Sequence, residues 1–133
     1  MSGPHYVFET SSFADDTATL AQNVNGIAGH ALATWLASRL SAAGFDASAV
    51  WAEDHGWDFS VSHQGARYLC ACSIEDDGTS PREAHVALEK MRSMADKLMG
   101  RNKYDPADPV AAEIGQALAA SPDVAGLSTD GIP

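Results

Sequence analysis

A chain of 133 residues lies within the usual size range of one domain, and its content of 45% hydrophobic and 20% charged residues is typical of a folded protein rather than a disordered one. The net charge of −10 disfavours nucleic acid as a partner, because phosphate binding needs clustered Lys and Arg. No segment approaches the ~20 apolar residues that cross a bilayer and the N-terminus has no signal-peptide pattern, so we expect a soluble cytoplasmic protein without a membrane partner.

The first third of the chain predicts a strand followed by a helix. Residues 6–10 are rich in aromatic and β-branched side chains, which favours a short first strand. Asp15 or Asp16 is placed to cap a helical turn, which the sequence Asn-Val-Asn-Gly at 23–26 interrupts. Apolar residues then recur at helical spacing from Ile27 to Ala43, and Gly44 follows where a left-handed helix end is expected.

The middle of the chain predicts an antiparallel meander of three short strands, at 47–52, 57–62 and 67–74. In the second segment Trp57, Phe59 and Val61 alternate with polar residues, the pattern of a sheet that is covered on one side. We therefore expect helices to pack on the face that carries these three side chains.

A second long helix is predicted to begin at Pro81. Ser80 is placed as its N-cap and Glu83 completes a capping box. An apolar stripe, interpreted as core, then runs to Gly100: Ala84, Ala87, Leu88, Met91, Met94, Ala95 and Leu98. Met99 is grouped with Met91 and Met94 as core filler.

A last helix is predicted after the cap-and-proline pair Asp108-Pro109 and ends before Pro122. The expected architecture is therefore α+β, with a four-stranded, mainly antiparallel sheet in β-α-β-β-β-α-α order and helices packed on one face. Residues 1–122 form the expected single domain, and 123–133, which lack periodicity, form a loosely held tail. The pattern does not place the first strand at an edge or in the centre of the sheet.

The densest group of functional side chains lies around the first predicted hairpin turn. Two carboxylates and an imidazole there are bracketed by tryptophans, and the candidate binding residues are Trp51, Glu53, Asp54, His55 and Trp57. Charged residues and glycine are also ordinary components of a solvated turn, and both tryptophans are candidates for structural anchors of the sheet.

The stretch Glu53-Asp54-His55-Gly56-Trp57 resembles small bacterial proteins of uncharacterised function that carry an E-D-x-G-W hairpin behind an amphipathic helix. The resemblance covers about a third of the chain. It implies no activity and no site residue.

No established catalytic, phosphate-binding or dinucleotide-binding motif is present, so no catalytic residue and no cofactor are assigned. Cys70 and Cys72 share one face of a predicted strand and are expected to be reduced thiols in the core. A zinc site at this pair, completed by His55 or His63, is the less favoured alternative, because a second ligand pair is missing.

Three isolated histidines, His5, His30 and His85, are interpreted as surface or boundary residues, with His5 in a mobile start and His85 in the late helix.

The leading functional hypothesis is a small acidic regulatory or immunity-like domain that binds another protein with a basic surface and has no catalytic activity. The alternative is a small-molecule or metal site between sheet and helices, lined by the 51–58 hairpin and Trp35. A homodimer through the sheet face or an edge strand is compatible with both.

Overall fold

The computed structural model describes residues 3–75, 79–105 and 107–131. Helices and strands account for 28% and 36% of the chain, which establishes a mixed structure with an antiparallel sheet. The strands are β1 (Pro4–Thr10), β2 (Asp46–Ala47), β3 (Trp51–Glu53), β4 (Gly56–His63), β5 (Ala66–Ile74), β6 (Arg82–Lys90) and β7 (Ala125–Gly131). The helices are α1 (Thr17–Leu20), α2 (His30–Ala42), α3 (Met94–Met99) and α4 (Pro109–Ala120).

Over the described residues the sheet has seven strands in the order β2-β4-β5-β6-β1-β7, with β3 also paired to β4, and each of these pairs is antiparallel. The predicted count of four strands is therefore wrong. The segment 47–52 is divided into β2 and β3, and β6 and β7 were not predicted as strands. The first strand lies inside the sheet, between β6 and β7.

One face of the sheet packs against α2 and α4. The predicted alternation in β4 is confirmed, because Trp57, Phe59 and Val61 are at most 2% exposed. The largest fully buried side chains include Phe8, Phe59, Leu32, Leu36, Leu40, Ile74, Ile114 and Leu118. The sheet therefore has a core face under the helices and an opposite face, called here the open face, which carries the alternate residues of each strand.

The two aspartates near the start of the chain cap different helices. Asp16 caps α1 by accepting a hydrogen bond from the Thr19 N–H at 2.7 Å. The carboxylate of Asp15 accepts the three backbone N–H groups of residues 29–31 at 2.8 to 2.9 Å, and so caps α2 across the intervening loop. Negative charge at this position also complements the positive end of the α2 dipole.

The predicted helix from Pro81 is wrong, and its first half is strand β6. Ala84, Val86 and Leu88 are buried while their neighbours are exposed or half-exposed, a period of two that fits a strand. Because β6 lies between β5 and β1, its backbone groups form hydrogen bonds with both neighbouring strands, and its buried side chains lie beside those of these strands. This tertiary environment overrides the capping signal at 80–83 and the helical propensity of Ala, Glu and Lys.

The second half of the predicted helix is the short helix α3, which contains no buried residue. Met94, Leu98 and Met99 are 70 to 80% exposed and Met91 is 51% exposed. Their assignment to the core is therefore wrong.

The tail from 123 was expected to be loosely held, but residues 125–131 form β7 and pair with β1. Val124 and Leu127 are partly buried and pack against the core. The prediction did not anticipate this strand, since its Gly, Ser and Asp residues give no alternating apolar pattern. None of the described helices is long and apolar enough to cross a membrane.

Candidate functional site

The candidate hairpin is the two-residue connection between β3 and β4, with Asp54 and His55 at its tip. Gly56, the next residue, has φ of 148°, and a Cβ atom there would lie 2.3 Å from the carbonyl oxygen of Cys72. Glycine is therefore required for the hairpin to lie this close to β5.

The loop at 23–26 fixes the position of the hairpin. The side-chain amide of Asn23, which is 4% exposed, donates to the carbonyls of Glu53 at 2.8 Å and Gly56 at 3.0 Å. Asn25 donates to the carbonyl of Asp54 at 2.7 Å. The segment predicted only as an interruption of a helix is thus a brace for the hairpin, and its two asparagines are positioning residues that sequence reasoning missed.

His55 and Asp58 form the closest charged pair of the hairpin. The Nε2 atom of His55 lies 2.7 Å from Oδ1 of Asp58, and Nδ1 lies 3.4 Å from Oδ1 of Asp54. The side chain of Asp58 is 2% exposed, that of His55 is 51% exposed and that of Asp54 is 79% exposed. Asp58 therefore orients the imidazole from below, while Asp54 contacts it from solvent.

The pKa values of both partners are raised, for different reasons. Burial opposes the charge on His55 and would lower its pKa, but hydrogen bonds and charge from Asp58 and then Asp54 outweigh burial and raise the pKa. Burial raises the pKa of Asp58, and its contact with His55 only partly offsets this effect. Proton binding is therefore favoured at both members of the pair.

The two tryptophans lie on opposite faces of the sheet. Trp57 is 2% exposed and donates its indole N–H to the carbonyl of Ile27 at 2.8 Å, which gives it a structural role in the core. Trp51 is 37% exposed and donates to Oε1 of Glu53 at 2.8 Å. The structure thus brings Trp51 and Glu53 together, and Asp54 and His55 together, but separates Trp57 from both pairs.

Trp35, proposed as a third aromatic wall of an internal pocket, packs on Phe13 in the helix layer, with a ring-centroid distance of 5.3 Å. Trp51 lies on the other side of the sheet. The three tryptophans therefore do not line a common pocket between sheet and helices.

Two cavities border the hairpin. The first, of about 440 Å³, is lined by Trp51, Leu69, Met91 and Arg67 among others. The second, of about 490 Å³, lies between residues 25–28, His55 and the neighbouring parts of β5 and β6. Glu75 and His85 are among the residues that line it.

A cluster of polar residues at this end of the sheet was not predicted. His85 and Glu83 share the open face of β6, and Glu75 follows β5 beside Glu83, whose carbonyl accepts its backbone N–H at 2.9 Å. Nε2 of His85 lies 2.8 Å from Oε1 of Glu83 and 3.9 Å from Oε1 of Glu75. Nδ1 of His85 lies 3.0 Å from Nε2 of His5 on β1.

These positions correct the interpretation of two histidines, since His5 lies in β1 and His85 in β6 rather than in a mobile start and a helix. No local motif could have revealed the cluster, because its members come from three strands whose register is set by the folded sheet.

Cys70 and Cys72 are buried free thiols on the core face, opposite Phe59 and Trp57. A mutual hydrogen bond and burial raise the pKa of the Cys70 thiol, which favours the protonated form over a metal-binding thiolate. The side chain of His55 is turned to the open face by its bond to Asp58. Within the described ranges, the grouping suited to a metal ion is Glu75, Glu83 and His85, not the cysteine pair.

The open face is acidic. A row of paired residues crosses it from Trp51 through Asp58, Ala71, Ala87 and His5 to Asp130. Exposed carboxylates flank this row on the neighbouring strands, at Glu9, Glu83 and Glu89.

Comparison of the chain with protein-family models, curated proteins and solved structures gives no match. The resemblance of Glu53–Trp57 to a bacterial hairpin group stays a prediction.

Proposed function

We propose that the chain is a regulatory or immunity-like domain without catalytic activity, which binds a protein with a basic surface on the open face of its sheet. The observation that carries the proposal is the set of exposed carboxylates at Glu9, Glu83, Glu89 and Asp130 on strands β6, β1 and β7 of this face, which also carries an exposed tryptophan on β3. The net charge of −10 gives the whole molecule a potential that attracts cationic partners and accelerates their encounter.

The apolar cavity beside Trp51 supplies an anchoring point for such a partner. Trp51 and Met91 are 37% and 51% exposed and line this cavity together with Leu69. Exposed aromatic and methionine side chains at the centre of a polar rim are typical of protein interfaces, where a few anchors contribute most of the binding energy. A partner segment fits this face if it offers an apolar side chain to the cavity and Lys or Arg to Glu89, which is paired with the cavity residue Leu69.

The same charge pattern disfavours nucleic acid and anionic membrane surfaces as ligands of this face. The reduced, unpaired cysteines fit a cytoplasmic location, where thiols are kept reduced.

Affinity capture from cells that naturally express the chain tests the proposal. The native protein is immobilised beside the open-face double variant Glu9→Gln/Glu89→Gln and a charge-matched control, Asp105→Asn/Glu113→Gln, whose changes lie in and before α4. We expect a partner that is retained at low salt and released at high salt. The double variant should retain it roughly three- to tenfold less, because each rim charge contributes about 0.2 to 1 kcal/mol.

Trp51→Ala should reduce retention more strongly than either double variant, because it removes the anchor. The control double variant should bind like the native chain. Equal loss in both double variants would show that only net charge matters, and the absence of any retained protein at low salt would remove the proposal's support.

A second candidate function is a small-molecule site, possible catalysis included, in the cavity of about 490 Å³. The observation in its favour is the His55–Asp58 pair, in which a buried carboxylate orients an imidazole that lines this cavity. A thermal-shift screen of small metabolites of both charges, with His55→Gln as the comparison, tests it. Stabilisation that His55→Gln abolishes would favour this candidate over protein binding.

A further inference from the structure

The end of the sheet formed by β5, β6 and β1 carries a set of side chains that differs from the rest of the open face. Glu75, Glu83 and His85 each offer one ligand atom, and all three atoms lie within 4.8 Å of one another. We propose that these three residues bind a divalent transition-metal ion of the zinc class, and that His5 acts as the outer-shell residue that orients His85.

The distances fit a common ion. Two ligands that each lie ~2.1 Å from a metal are roughly 3 to 4 Å apart in tetrahedral or octahedral geometry. Nε2 of His85 lies 2.8 Å from Oε1 of Glu83 and 3.9 Å from Oε1 of Glu75, so both separations lie within or close to that range, and all three ligand atoms are within 4.8 Å of one another. The carboxylate side chains are 49% and 67% exposed and can rotate by the small amount needed, since little packs around them.

The imidazole is held for this role. Its Nδ1 atom lies 3.0 Å from Nε2 of His5, and the two rings are stacked with a centroid distance of 5.2 Å. When Nδ1 of His85 carries the proton and donates to His5, Nε2 presents its lone pair towards the two carboxylates. A metal-binding histidine ordinarily has such a partner for its second ring nitrogen, which fixes both the tautomer and the ring orientation.

The ligand set defines the class of metal. One imidazole nitrogen and two carboxylate oxygens suit Zn²⁺ and related first-row ions, whereas Mg²⁺ and Ca²⁺ prefer oxygen ligands alone. Three protein ligands leave coordination positions free for water. Glu75 and His85 also line the cavity of about 490 Å³, so an ion that they hold lies at the border of this space.

This proposal does not depend on the docking function. The two proposals share Glu83, but the metal test rests on His85, Glu83 and His5 whereas the docking test changes Glu9, Glu89 and Trp51, so the two proposals can fail separately.

Calorimetric titration of tag-free, chelator-treated protein with ZnCl₂ and with MgCl₂ tests the site. We expect saturable binding of one zinc ion per chain and no comparable binding of magnesium. His85→Gln should abolish saturable binding and Glu83→Gln should weaken it at least about tenfold, because each removes a ligand. His5→Phe, which keeps a ring but removes the acceptor, should weaken binding by about tenfold.

His63→Gln is the matched control, because His63 lies at the opposite end of β4 from the cluster, and it should bind zinc like the native chain. Circular dichroism of each variant establishes that the sheet is intact. NMR of the native chain gives a measurement that needs no variant, since zinc should shift the ring signals of His85 and leave those of His63 unchanged.

Replacement of zinc by Co²⁺ distinguishes the two candidate ligand sets. We expect visible absorption without the intense near-ultraviolet band of a cobalt–thiolate bond. That band would assign the ion to Cys70 and Cys72 and overturn the proposal. Undiminished zinc binding by His85→Gln would also overturn it, and so would the lack of saturable binding by the native chain.

Discussion

The carboxylate of Asp108 serves two parts of the molecule at once. It accepts a hydrogen bond from the Val110 N–H at 2.9 Å as the N-cap of α4, and another from the Tyr68 hydroxyl at 2.6 Å. The residue is 6% exposed, and Nζ of Lys90 lies 4.0 Å away. The cap was predicted from the Asp-Pro pair, but the partner on β5 was not, because it depends on how the helix lies across the sheet.

Asp108→Ala should lower the free energy of unfolding by about 2 to 4 kcal/mol, because it removes the cap and leaves the buried Tyr68 hydroxyl without an acceptor. Asp108→Asn retains an oxygen for both bonds and should cost less than about 1 kcal/mol. Urea denaturation of both variants measures the difference. Equal destabilisation by Ala and Asn would show that charge, and not hydrogen bonding, accounts for the role of this residue.

The His55–Asp58 pair should make stability depend on pH. The folded-state pKa of His55 lies above the unfolded value of 6.5, so the stability that it contributes is fully present below 6.5 and is lost as pH rises through the folded value. The pKa of Asp58 is also raised in the folded state, so its contribution to stability falls as pH rises from the unfolded pKa of 3.8 towards the folded pKa.

Urea unfolding of the native chain and of His55→Gln at about pH 6 and about pH 9 tests the first of these effects. We expect the native chain to lose less than about 1 kcal/mol over this range, because the imidazole is half-exposed and solvent screens the pair. His55→Gln should lose less than the native chain. An unchanged loss in this variant would contradict the assignment, and Glu113→Gln serves as a control with native behaviour.

At the scale of elements, β6 shows why the sequence misled. Buried residues at 84, 86 and 88 alternate with Glu83, His85 and Glu89, a strand pattern, but Ala84, Ala87 and Leu88 also fit a helical stripe. The Ser-Pro-x-Glu start and the good helix formers favoured the helix. What decides the conformation is the pair of neighbouring strands, which local sequence does not show. By contrast, β4 and α4 were predicted because their patterns admit one reading.

Two leucines that belonged to the same predicted helical stripe should now differ in their effect on stability, because Leu88 lies in β6 and Leu98 in the exposed helix α3. Leu88 is 2% exposed and Leu98 is 80% exposed. Leu88→Ala should lower the free energy of unfolding by about 2 to 4 kcal/mol, and Leu98→Ala should change it by less than about 0.5 kcal/mol. Denaturant melts of the two variants provide matched controls for each other. Similar losses in the two variants would contradict the strand and support a continuous, buried helix over 81–98.

At the scale of the whole molecule, the candidate sites depend on non-local pairing. The hairpin tip was predicted from neighbouring residues. Its brace, however, comes from Asn23, and the buried partner of its imidazole is Asp58, which β4 presents on the open face. The cluster of His5, Glu75, Glu83 and His85 joins three strands. The sequence shows which residue types are present, but it does not show that these residues lie close together, because that depends on the order of the strands in the sheet.

Strand β7 completes the sheet at one edge, so its removal should affect the whole molecule. A chain that ends at residue 124 exposes the edge of β1 and the core beneath Leu127. We expect a loss of at least about 2 kcal/mol and concentration-dependent association through the free edge. Thermal melting and light scattering at two concentrations measure both effects. A control chain that ends at residue 131 should behave like the native one, and a stable monomer ending at 124 would contradict this role of β7.

The position of β1 between β6 and β7 also sets the order in which the protein can assemble during its synthesis. The ladder of β1 joins Thr10 to Arg82 and Pro4 to Gly131, so β1 pairs only with strands that are synthesised much later than itself. Closing such distant contacts has a high entropic cost and is slow. The apolar side chains of Tyr6 and Phe8 therefore stay without their neighbours on β6 and β7 until those two strands have been synthesised.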